Sequence, residues 1–351
     1  MNRFDLFPYA RSILSLMDPE LAHRLTLIGL RCGLGPRQRA YDASSLSQKL
    51  WGLTFRNPVG IAAGFDKNGE VPDAMLAMGF GFAEAGTVTP RPQPGNPKPR
   101  LFRLAGQGAV INRLGFNNQG HAALRQRLEA RRARGGIVGV NIGANKDSAD
   151  RIADYESGIR CFEGLASYFT VNISSPNTPG LRALQNMEEL HQLVTRVMAA
   201  RQGATPILLK IAPDLTPAEL ADIAAVALEL RLDGLIISNT TIMRQGLVTG
   251  PRASETGGLS GRPLFGLSTA VLRDMYRLTK GSLPLIGVGG IASGTDAYAK
   301  IRAGASLVQL YSALTYDGPA LVCEIKRDLA ELLAADGYSN IAQAVGVDSG
   351  L

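Results

Sequence analysis

From about residue 50 onward, short apolar runs alternate with longer segments in which apolar residues recur at helical spacing. The runs are rich in aliphatic and β-branched residues, as strands are. They cover residues 59–63, 82–89, 137–142, 168–173, 207–211, 234–238, 285–288 and 307–311. Strands that alternate with helices predict an α/β fold with a parallel sheet. Eight such units favour a (β/α)8 TIM barrel over an open sheet.

The first 45 residues follow a different pattern, which predicts a small helical hairpin. Apolar residues recur at helical spacing over 6–17, and Asp18-Pro19-Glu20 supplies a cap, a proline and an acid for a second helix. That helix is expected to end near Gly33. We therefore divide the chain into an N-terminal helical segment, 1–45, and a barrel domain, 46–351.

The residues of the hairpin leave two interpretations open. Its apolar face packs on the barrel, or it lies in a membrane interface with its arginines toward lipid phosphates. Amphipathicity is the default of any surface helix, and this favours simple packing. No stretch approaches the roughly 20 apolar residues of a membrane-spanning helix.

Charge and cysteine content narrow the class of ligand. The net charge of +7 favours anionic small molecules or anionic lipid surfaces. Nucleic acid is not expected, because aromatic residues make up only 6% and no binding module is recognisable. Cys32, Cys161 and Cys323 are far apart in the sequence, so we predict neither a metal site nor a bound iron–sulfur cluster. The same spacing predicts a protein of a reducing compartment.

The carboxyl ends of the predicted strands are rich in glycine and polar residues, where barrel enzymes carry reactive groups. Lys210 closes an apolar run, and beside an electron-accepting ring it would stabilise the negative charge of reduction. Lys67 binds an anion or pairs with an acid such as Asp66. Gly289-Gly290 and Tyr311-Ser312 lie where barrels commonly bind phosphate, although glycines also serve tight turns.

The segment 171–180 is the most polar of these strand ends, although an ordinary Ser/Asn/Pro turn also accounts for its composition. Amides recur there and at other strand ends, and they suit a planar, amide-rich ring. No histidine falls near Ser174 or Ser175 in the strand-end segments, which disfavours a serine triad. The residues still allow a serine that only accepts a proton, provided that the site excludes water and is preorganised.

Together these segments resemble the dihydroorotate dehydrogenases, the flavin enzymes of pyrimidine synthesis. The resemblance runs over nearly the whole chain and is carried by residues 62–69, 86–90, 94–100, 112–117, 172–179, 238–241, 258–261 and 287–291. Class 1 members carry a cysteine at the base position. Ser175 and the N-terminal extension instead resemble the quinone-dependent, membrane-associated class 2.

The resemblance implies one FMN per chain and the roles of individual residues. FMN would be held by Ala63, Gly64, Phe65, Asp66, Lys67, Thr87, Asn141, Asn172, Lys210, Ser238, Gly261, Gly290, Tyr311 and Ser312. Dihydroorotate would be held by Lys67, Asn112, Arg113, Leu114, Gly115, Phe116, Asn172, Asn177, Asn239 and Thr240. Ser175 would take the C5 proton while a hydride passes from C6 to FMN, giving orotate. One departure is Ser238, which stands where many relatives have threonine.

The resemblance also changes the interpretation of the hairpin. It implies that the hairpin meets the bilayer surface and admits a membrane quinone, whose tunnel ends at His23, Arg103 and Tyr311. We expect a monomer without an iron–sulfur partner subunit, peripheral on the cytoplasmic face of a bacterial inner membrane. Two alternatives stay open: a related FMN barrel that oxidises or reduces a pyrimidine with a soluble acceptor, and a non-catalytic barrel that binds a phosphate ligand.

Overall fold

The computed structural model describes residues 7–37, 42–178, 180–244, 247, 250 and 252–351. Residues 1–6 and 38–41 of the predicted N-terminal segment, and Pro179 of the polar strand end, lie outside this part of the chain.

The described chain forms eleven α-helices and thirteen strands. The helices are α1 Phe7–Leu16, α2 Pro19–Arg31, α3 Pro72–Ala77, α4 Gly120–Arg131, α5 Arg151–Phe162, α6 Met187–Ala200, α7 Pro217–Glu229, α8 Phe265–Leu278, α9 Gly294–Arg302, α10 Ser312–Asp317 and α11 Leu321–Ala335. The strands are β1 Gln48–Leu50, β2 Leu53–Phe55, β3 Val59–Asp66, β4 Phe82–Val88, β5 Leu101–Leu104, β6 Ala109–Asn112, β7 Ile137–Ile142, β8 Phe169–Asn172, β9 Ile207–Ile211, β10 Gly234–Ile237, β11 Gly258–Gly261, β12 Leu285–Val288 and β13 Ala305–Leu310.

Eight parallel strands close into a barrel in the order β3, β4, β7, β8, β9, β10, β12, β13 and back to β3. They are the eight runs that the apolar pattern predicts, so the predicted (β/α)8 barrel is confirmed. All eight strands run the same way, and their carboxyl ends therefore meet at one mouth. In the register, Asn172 of β8 lies beside Lys210 of β9, so two of the predicted site residues are neighbours.

Aromatic side chains close the opposite end of the barrel. The rings of Phe55 and Phe82 meet edge to face at 5.4 Å, and Trp51 and Tyr168 lie 6.3 Å apart. A Cβ on Gly60 would fall 2.3 Å from the Phe82 ring, so only glycine leaves room for this packing. Each buried aromatic ring contributes roughly 1.5–3 kcal/mol by leaving water. The sealed end leaves the mouth as the side that is open to ligands.

Two additions flank the mouth. Strands β5, β6 and β11 form a small antiparallel sheet, with β6 in the middle. The helical hairpin α1–α2 packs beside β5. Arg103 of β5 holds the turn of the hairpin by donating to the carbonyl oxygens of Met17, at 3.0 Å, and Ser15, at 3.3 Å.

The hairpin has the two predicted helices. Asp18 caps α2 by accepting hydrogen bonds from the backbone nitrogens of Glu20 and Leu21, and Pro19 opens the helix. On α2 only Ala22 and Leu30 are buried. The hairpin carries five exposed apolar side chains: Ile13, Leu16, Leu21, Leu25 and Ile28. None of the described helices is both long and apolar enough to span a bilayer.

Candidate active site

A cavity of about 2710 Å³ extends from the underside of the hairpin to the carboxyl ends of the barrel strands. It brings together most of the residues that the sequence singles out. Those that line it are His23, Ala63, Gly64, Phe65, Lys67, Thr87, Arg103, Asn112, Leu114, Gly115, Phe116, Asn172, Ser175, Asn177, Lys210, Ser238, Asn239, Thr240, Gly261, Gly290, Tyr311 and Ser312.

Three predicted site residues do not line the cavity. The Asp66 carboxylate accepts from the backbone nitrogens of Glu70 and Val71, at 2.8 and 2.7 Å, and so fixes the turn after β3. Asn141 is fully buried beneath the mouth. Arg113 forms an ion pair with Glu255 at 2.7 Å, outside the cavity lining. Any direct contact of these three with a ligand stays a prediction.

The two serines after β8 face different surroundings. Ser175 lines the cavity, and its Oγ accepts a 3.3 Å hydrogen bond from the backbone nitrogen of Asn177. Ser174 is fully buried and donates to the Oδ1 of Asn172 at 3.0 Å. The alternation of side chains along an extended segment predicts this difference. Of the two, only Ser175 can meet a ligand in the cavity.

A network of amides and hydroxyls surrounds Ser174. The Nδ2 of Asn172 donates to Thr87 Oγ1 at 2.9 Å, and the Nδ2 of Asn239 donates to Ser174 Oγ at 3.0 Å. At the other side of the cavity the Nδ2 of Asn177 donates to Asn112 Oδ1 at 3.3 Å. These amides hold one another in place at the cavity wall. Their remaining donors and acceptors can grip a planar ring by its edges.

Two lysines, Lys67 partly exposed and Lys210 almost fully buried, place positive charge at the mouth. Burial lowers the pKa of Lys67 to about 8, and its Nζ donates to the Gly64 carbonyl oxygen at 3.1 Å. Burial also lowers the pKa of Lys210, whereas the charge of Glu84 acts in the opposite direction. Lys210 Nζ makes no hydrogen bond to another residue of the described chain, although its side chain is almost fully buried. Its charge is therefore available to an anionic or electron-rich ligand.

Glycines open the wall before and after the seventh barrel strand, at Gly261 of β11 and at Gly290. Gly290 has a φ of +79°, and a Cβ there would lie 2.5 Å from the backbone of Phe265. Gly261, with a φ of +93°, would bring a Cβ within 2.2 Å of the Gly108 carbonyl oxygen. A side chain at either position would fill or distort this corner. Nearby, Ser312 donates from its Oγ to that of Ser260 at 2.8 Å.

The hairpin end of the cavity is aromatic. The His23 ring lies 5.2 Å from that of Phe65, and Phe65 lies 5.5 Å from Tyr311. Burial lowers the pKa of His23 to about 4, and it raises the pKa of Tyr311 to about 12. Both side chains are therefore neutral at pH 7. They offer hydrogen-bonding groups without charge to a ligand that enters beneath the hairpin.

Sequence reasoning missed three residues that organise this site. Glu84 of β4 lies inside the barrel, where Asn141 donates to it at 2.7 Å. Arg182 joins the Ser174 carbonyl oxygen to Asp214 and Thr240. Asn96 donates to the Asn177 carbonyl oxygen at 3.1 Å. Glu84 carries a signal that could have found it, because an acid within an apolar strand is as unusual as the lysine of β9.

Comparisons with known proteins agree with this geometry. The family model described as dihydroorotate dehydrogenase matches residues 45–333. A Parvibaculum lavamentivorans protein named dihydroorotate dehydrogenase (quinone) is 75% identical and covers 99% of this chain and 100% of the relative. A protein of that name from rice mitochondria is 52% identical over 96% of this chain and 78% of the relative.

Solved structures give the same result. The crystal structure of the Eimeria tenella enzyme in complex with ferulenol has a TM-score of 0.91 and 43% identity, and covers 95% of this chain and 96% of that one. The resemblance that the sequence motifs predict is thus confirmed by sequence and by fold. The chain belongs to the dihydroorotate dehydrogenase family.

Proposed function

We propose that this protein oxidises (S)-dihydroorotate to orotate in pyrimidine biosynthesis and passes the electrons to a membrane quinone. The observation that carries the proposal is the continuity of the cavity, which joins Ser175 and Lys210 at the barrel mouth to His23 beneath an apolar hairpin. One end is polar and cationic, as an anionic pyrimidine requires, and the other carries the aromatic cluster of His23, Phe65 and Tyr311. The names of the relatives, which specify a quinone, support the second substrate.

The residues present fit FMN as the group between the two substrates. Lys210 offers a buried cation without a hydrogen bond in the described chain, and the corner at Gly261 and Gly290 leaves the backbone free to approach a phosphate. Thr87, Ser238 and Asn172 add hydroxyl and amide groups along the cavity wall. When bound, FMN supplies a two-electron acceptor for dihydroorotate and a donor for the quinone.

Ser175 takes the proton from C5 of dihydroorotate. It is almost fully buried at the cavity wall, and the backbone nitrogen of Asn177 holds its Oγ. A serine hydroxyl is a weak base in water, so exclusion of solvent and a fixed position are what this role requires. Lys210 stabilises the negative charge that develops on reduction, because its ammonium lies at the same mouth.

The substrate is held by its carboxylate and by the edges of its ring. Lys67 binds the carboxylate, since its ammonium is charged below a pKa of about 8. The amides of Asn112, Asn172, Asn177 and Asn239 contact the ring nitrogens and carbonyl oxygens. Arg113 acts from outside the cavity lining, where its ion pair with Glu255 ties the end of β6 to the segment before β11.

The hairpin, residues 1–45, forms the quinone entry, and residues 46–351 form the catalytic barrel. Exposed Leu16 and Ile13, 90% and 66% exposed, contact the bilayer surface, so that a quinone tail passes from the lipid to His23, Arg103 and Tyr311. We place the enzyme peripherally on the cytoplasmic face of a bacterial inner membrane, where free cysteines persist. We propose a monomer, because residues of a single chain line the cavity from the hairpin to the mouth.

The flavin spectrum tests this proposal against a non-catalytic barrel. We expect the purified protein to be yellow and its flavin absorbance to bleach when dihydroorotate is added without oxygen. A protein that purifies without flavin and takes up none on incubation with FMN would contradict the proposal. So would a bound flavin that dithionite reduces and dihydroorotate does not.

A further inference from the structure

Glu84 is an acid in the interior of the barrel, 1% exposed and outside the cavity lining. Three donors converge on its carboxylate. Asn141 Nδ2 donates to Oε1 at 2.7 Å, and Gln309 Nε2 and the Tyr168 hydroxyl donate to Oε2 at 2.6 and 3.0 Å. Burial keeps the Tyr168 hydroxyl protonated, because its pKa is raised well above the usual value. Glu84 thus receives all three of these hydrogen bonds, an arrangement that suits an acceptor at this position.

This carboxylate determines which way the amide of Asn141 points. Because Nδ2 must face Glu84, Oδ1 faces the mouth, where it accepts from Thr87 Oγ1 at 2.5 Å and from Asn172 Nδ2 at 3.3 Å. A reversed Asn141 would bring its oxygen against a carboxylate and its nitrogen against the donor of Asn172. The orientation of Asn141 therefore depends on an acceptor at position 84.

The same order extends to the residues of the substrate site. Since the Nδ2 of Asn172 points down to Thr87, its Oδ1 points toward Ser174, which donates to it at 3.0 Å. Asn239 Nδ2 also donates to this oxygen, at 3.3 Å. A chain of hydrogen bonds with one polarity thus runs from Glu84 to the wall that holds Asn172 and Asn239.

Glu84 also acts on the site through its charge. Lys210 lies on the barrel strand β9, where its register partner is Asn172 of β8. Glu84 is the acid of the described chain whose charge favours the ammonium form of Lys210 against its burial. The lysine has no hydrogen-bonded partner in the described chain, and a buried carboxylate of the same barrel is a counter-charge for its ammonium.

We propose that Glu84 is a positioning residue for the flavin reaction. It sets the hydrogen-bond polarity of the Asn141–Asn172 wall and supplies the negative charge that balances Lys210. The inference rests on the proposed function, because FMN and dihydroorotate are the ligands that this wall and this lysine serve. Glu84 lies outside the cavity lining and would touch neither ligand. Its two effects, orientation of the amides and supply of a negative charge, can be removed by different substitutions.

Two variants separate the effects. Glu84→Gln removes the charge, and its side-chain oxygen still accepts from Asn141. Glu84→Met, of similar length, removes the charge and the acceptor. Tyr168→Phe is the matched control, because it deletes one hydrogen bond to the same carboxylate and leaves both the charge and Asn141. FMN content and thermal unfolding of all three report whether each variant is folded.

The first readout is the ratio of reduced to oxidised flavin at equilibrium with a reference dye at pH 6, reached by chemical reduction without dihydroorotate. Loss of a buried negative charge favours the reduced flavin, so the ratio in Glu84→Gln is expected to rise on the order of tenfold, the scale of a buried unit charge. Tyr168→Phe is expected to match the wild type. An unchanged ratio in Glu84→Gln, or an equal change in Tyr168→Phe, overturns the electrostatic role.

The second readout is the dissociation constant of orotate, measured by the shift of the flavin spectrum. Glu84→Met is expected to bind orotate about tenfold more weakly than Glu84→Gln, the scale of one or two hydrogen bonds in a misoriented wall. Equal affinities of the two variants overturn the orienting role. If Glu84→Met does not fold, Glu84→Gln and Tyr168→Phe still decide the proposal by the first readout. A wild-type protein that dihydroorotate does not reduce refutes the proposed function instead, because the first readout does not use dihydroorotate.

Discussion

Glu20 and Arg100 form a two-point ion pair between helix α2 of the hairpin and the loop before β5. Glu20 Oε1 lies 2.6 Å from Arg100 Nη2, and Oε2 lies 3.0 Å from Nε. Arg100 also donates to the carbonyl oxygen of Asn96 at 2.7 Å, and Asn96 donates to that of Asn177. The quinone side and the substrate loop are thus joined through one guanidinium.

This pair predicts a pH dependence of stability. The hydrogen bond from Arg100 is the main cause that lowers the pKa of Glu20 below 4.5. A carboxyl whose pKa is lower in the folded state stabilises that state above pH about 4.5 and loses this contribution as the pH falls through the folded value. Glu20→Gln should therefore lower the free energy of unfolding at pH 7 by roughly 1 kcal/mol, the scale of a partly exposed pair, and unfold at a lower temperature than the wild type. At pH 3.5 the difference should shrink. A difference that is constant with pH would contradict the assignment.

Replacement of Ser175 tests the proton acceptor. Ser175→Ala is expected to retain FMN and near-normal orotate binding, while flavin reduction by dihydroorotate slows by at least ~10²-fold, the usual effect of losing a general base. Rapid-mixing absorbance gives this rate directly. Reduction at the wild-type rate would refute the role.

Ser174→Ala is the matched control for that experiment. Its hydroxyl bonds to Asn172 and Asn239 and does not line the cavity. The variant is expected to bind orotate a few-fold more weakly, because two amides lose a partner. Its rate of flavin reduction at saturating dihydroorotate should fall far less than that of Ser175→Ala. A larger fall of the reduction rate in Ser174→Ala than in Ser175→Ala would contradict the assignment of the proton to Ser175.

Lys67 predicts how substrate affinity depends on pH. Burial lowers its pKa to about 8, so the ammonium that binds a carboxylate is lost as the pH rises through that value. The dissociation constant of dihydroorotate for FMN-loaded Ser175→Ala should rise above pH 8, by up to about tenfold per unit. Lys67→Arg, added to that variant, should remove the increase and keep binding, whereas Lys67→Met should bind weakly at every pH. An affinity that does not change between pH 7 and 9.5 would count against Lys67.

The exposed apolar side of the hairpin predicts membrane binding. Ile13→Glu and Leu16→Glu together should reduce sedimentation with vesicles of phosphatidylglycerol and phosphatidylethanolamine by about tenfold or more, because two apolar side chains no longer leave water. Flavin reduction by dihydroorotate should be unchanged. Leu228→Glu, at a residue 42% exposed on α7, is the control and should bind like the wild type. If all variants bind the vesicles equally, the hairpin only packs on the barrel and does not bind the membrane.

Sequence patterns predict the barrel well because each strand is a local apolar run with a polar end. They miss the sheet of β5, β6 and β11, since these strands are not continuous apolar runs and β6 pairs with β11 across more than 140 positions. The polar strand ends identify the residues of the mouth, but not their directions. Asp66 turns to the backbone of Val71, and Asn141 lies one layer below, because tertiary packing and not residue type selects these orientations.

The partner that reoxidises the flavin tests the central claim most directly. The enzyme is first reduced with one equivalent of dihydroorotate without oxygen and then mixed with a short-tailed quinone, with fumarate or with NAD. The proposed function predicts that the quinone restores the flavin absorbance at least ~10²-fold faster than fumarate or NAD, because the passage beneath the hairpin leads to the uncharged aromatic side chains of His23 and Tyr311. Reoxidation by fumarate or NAD as fast as by the quinone would contradict it and favour a barrel that uses a soluble acceptor.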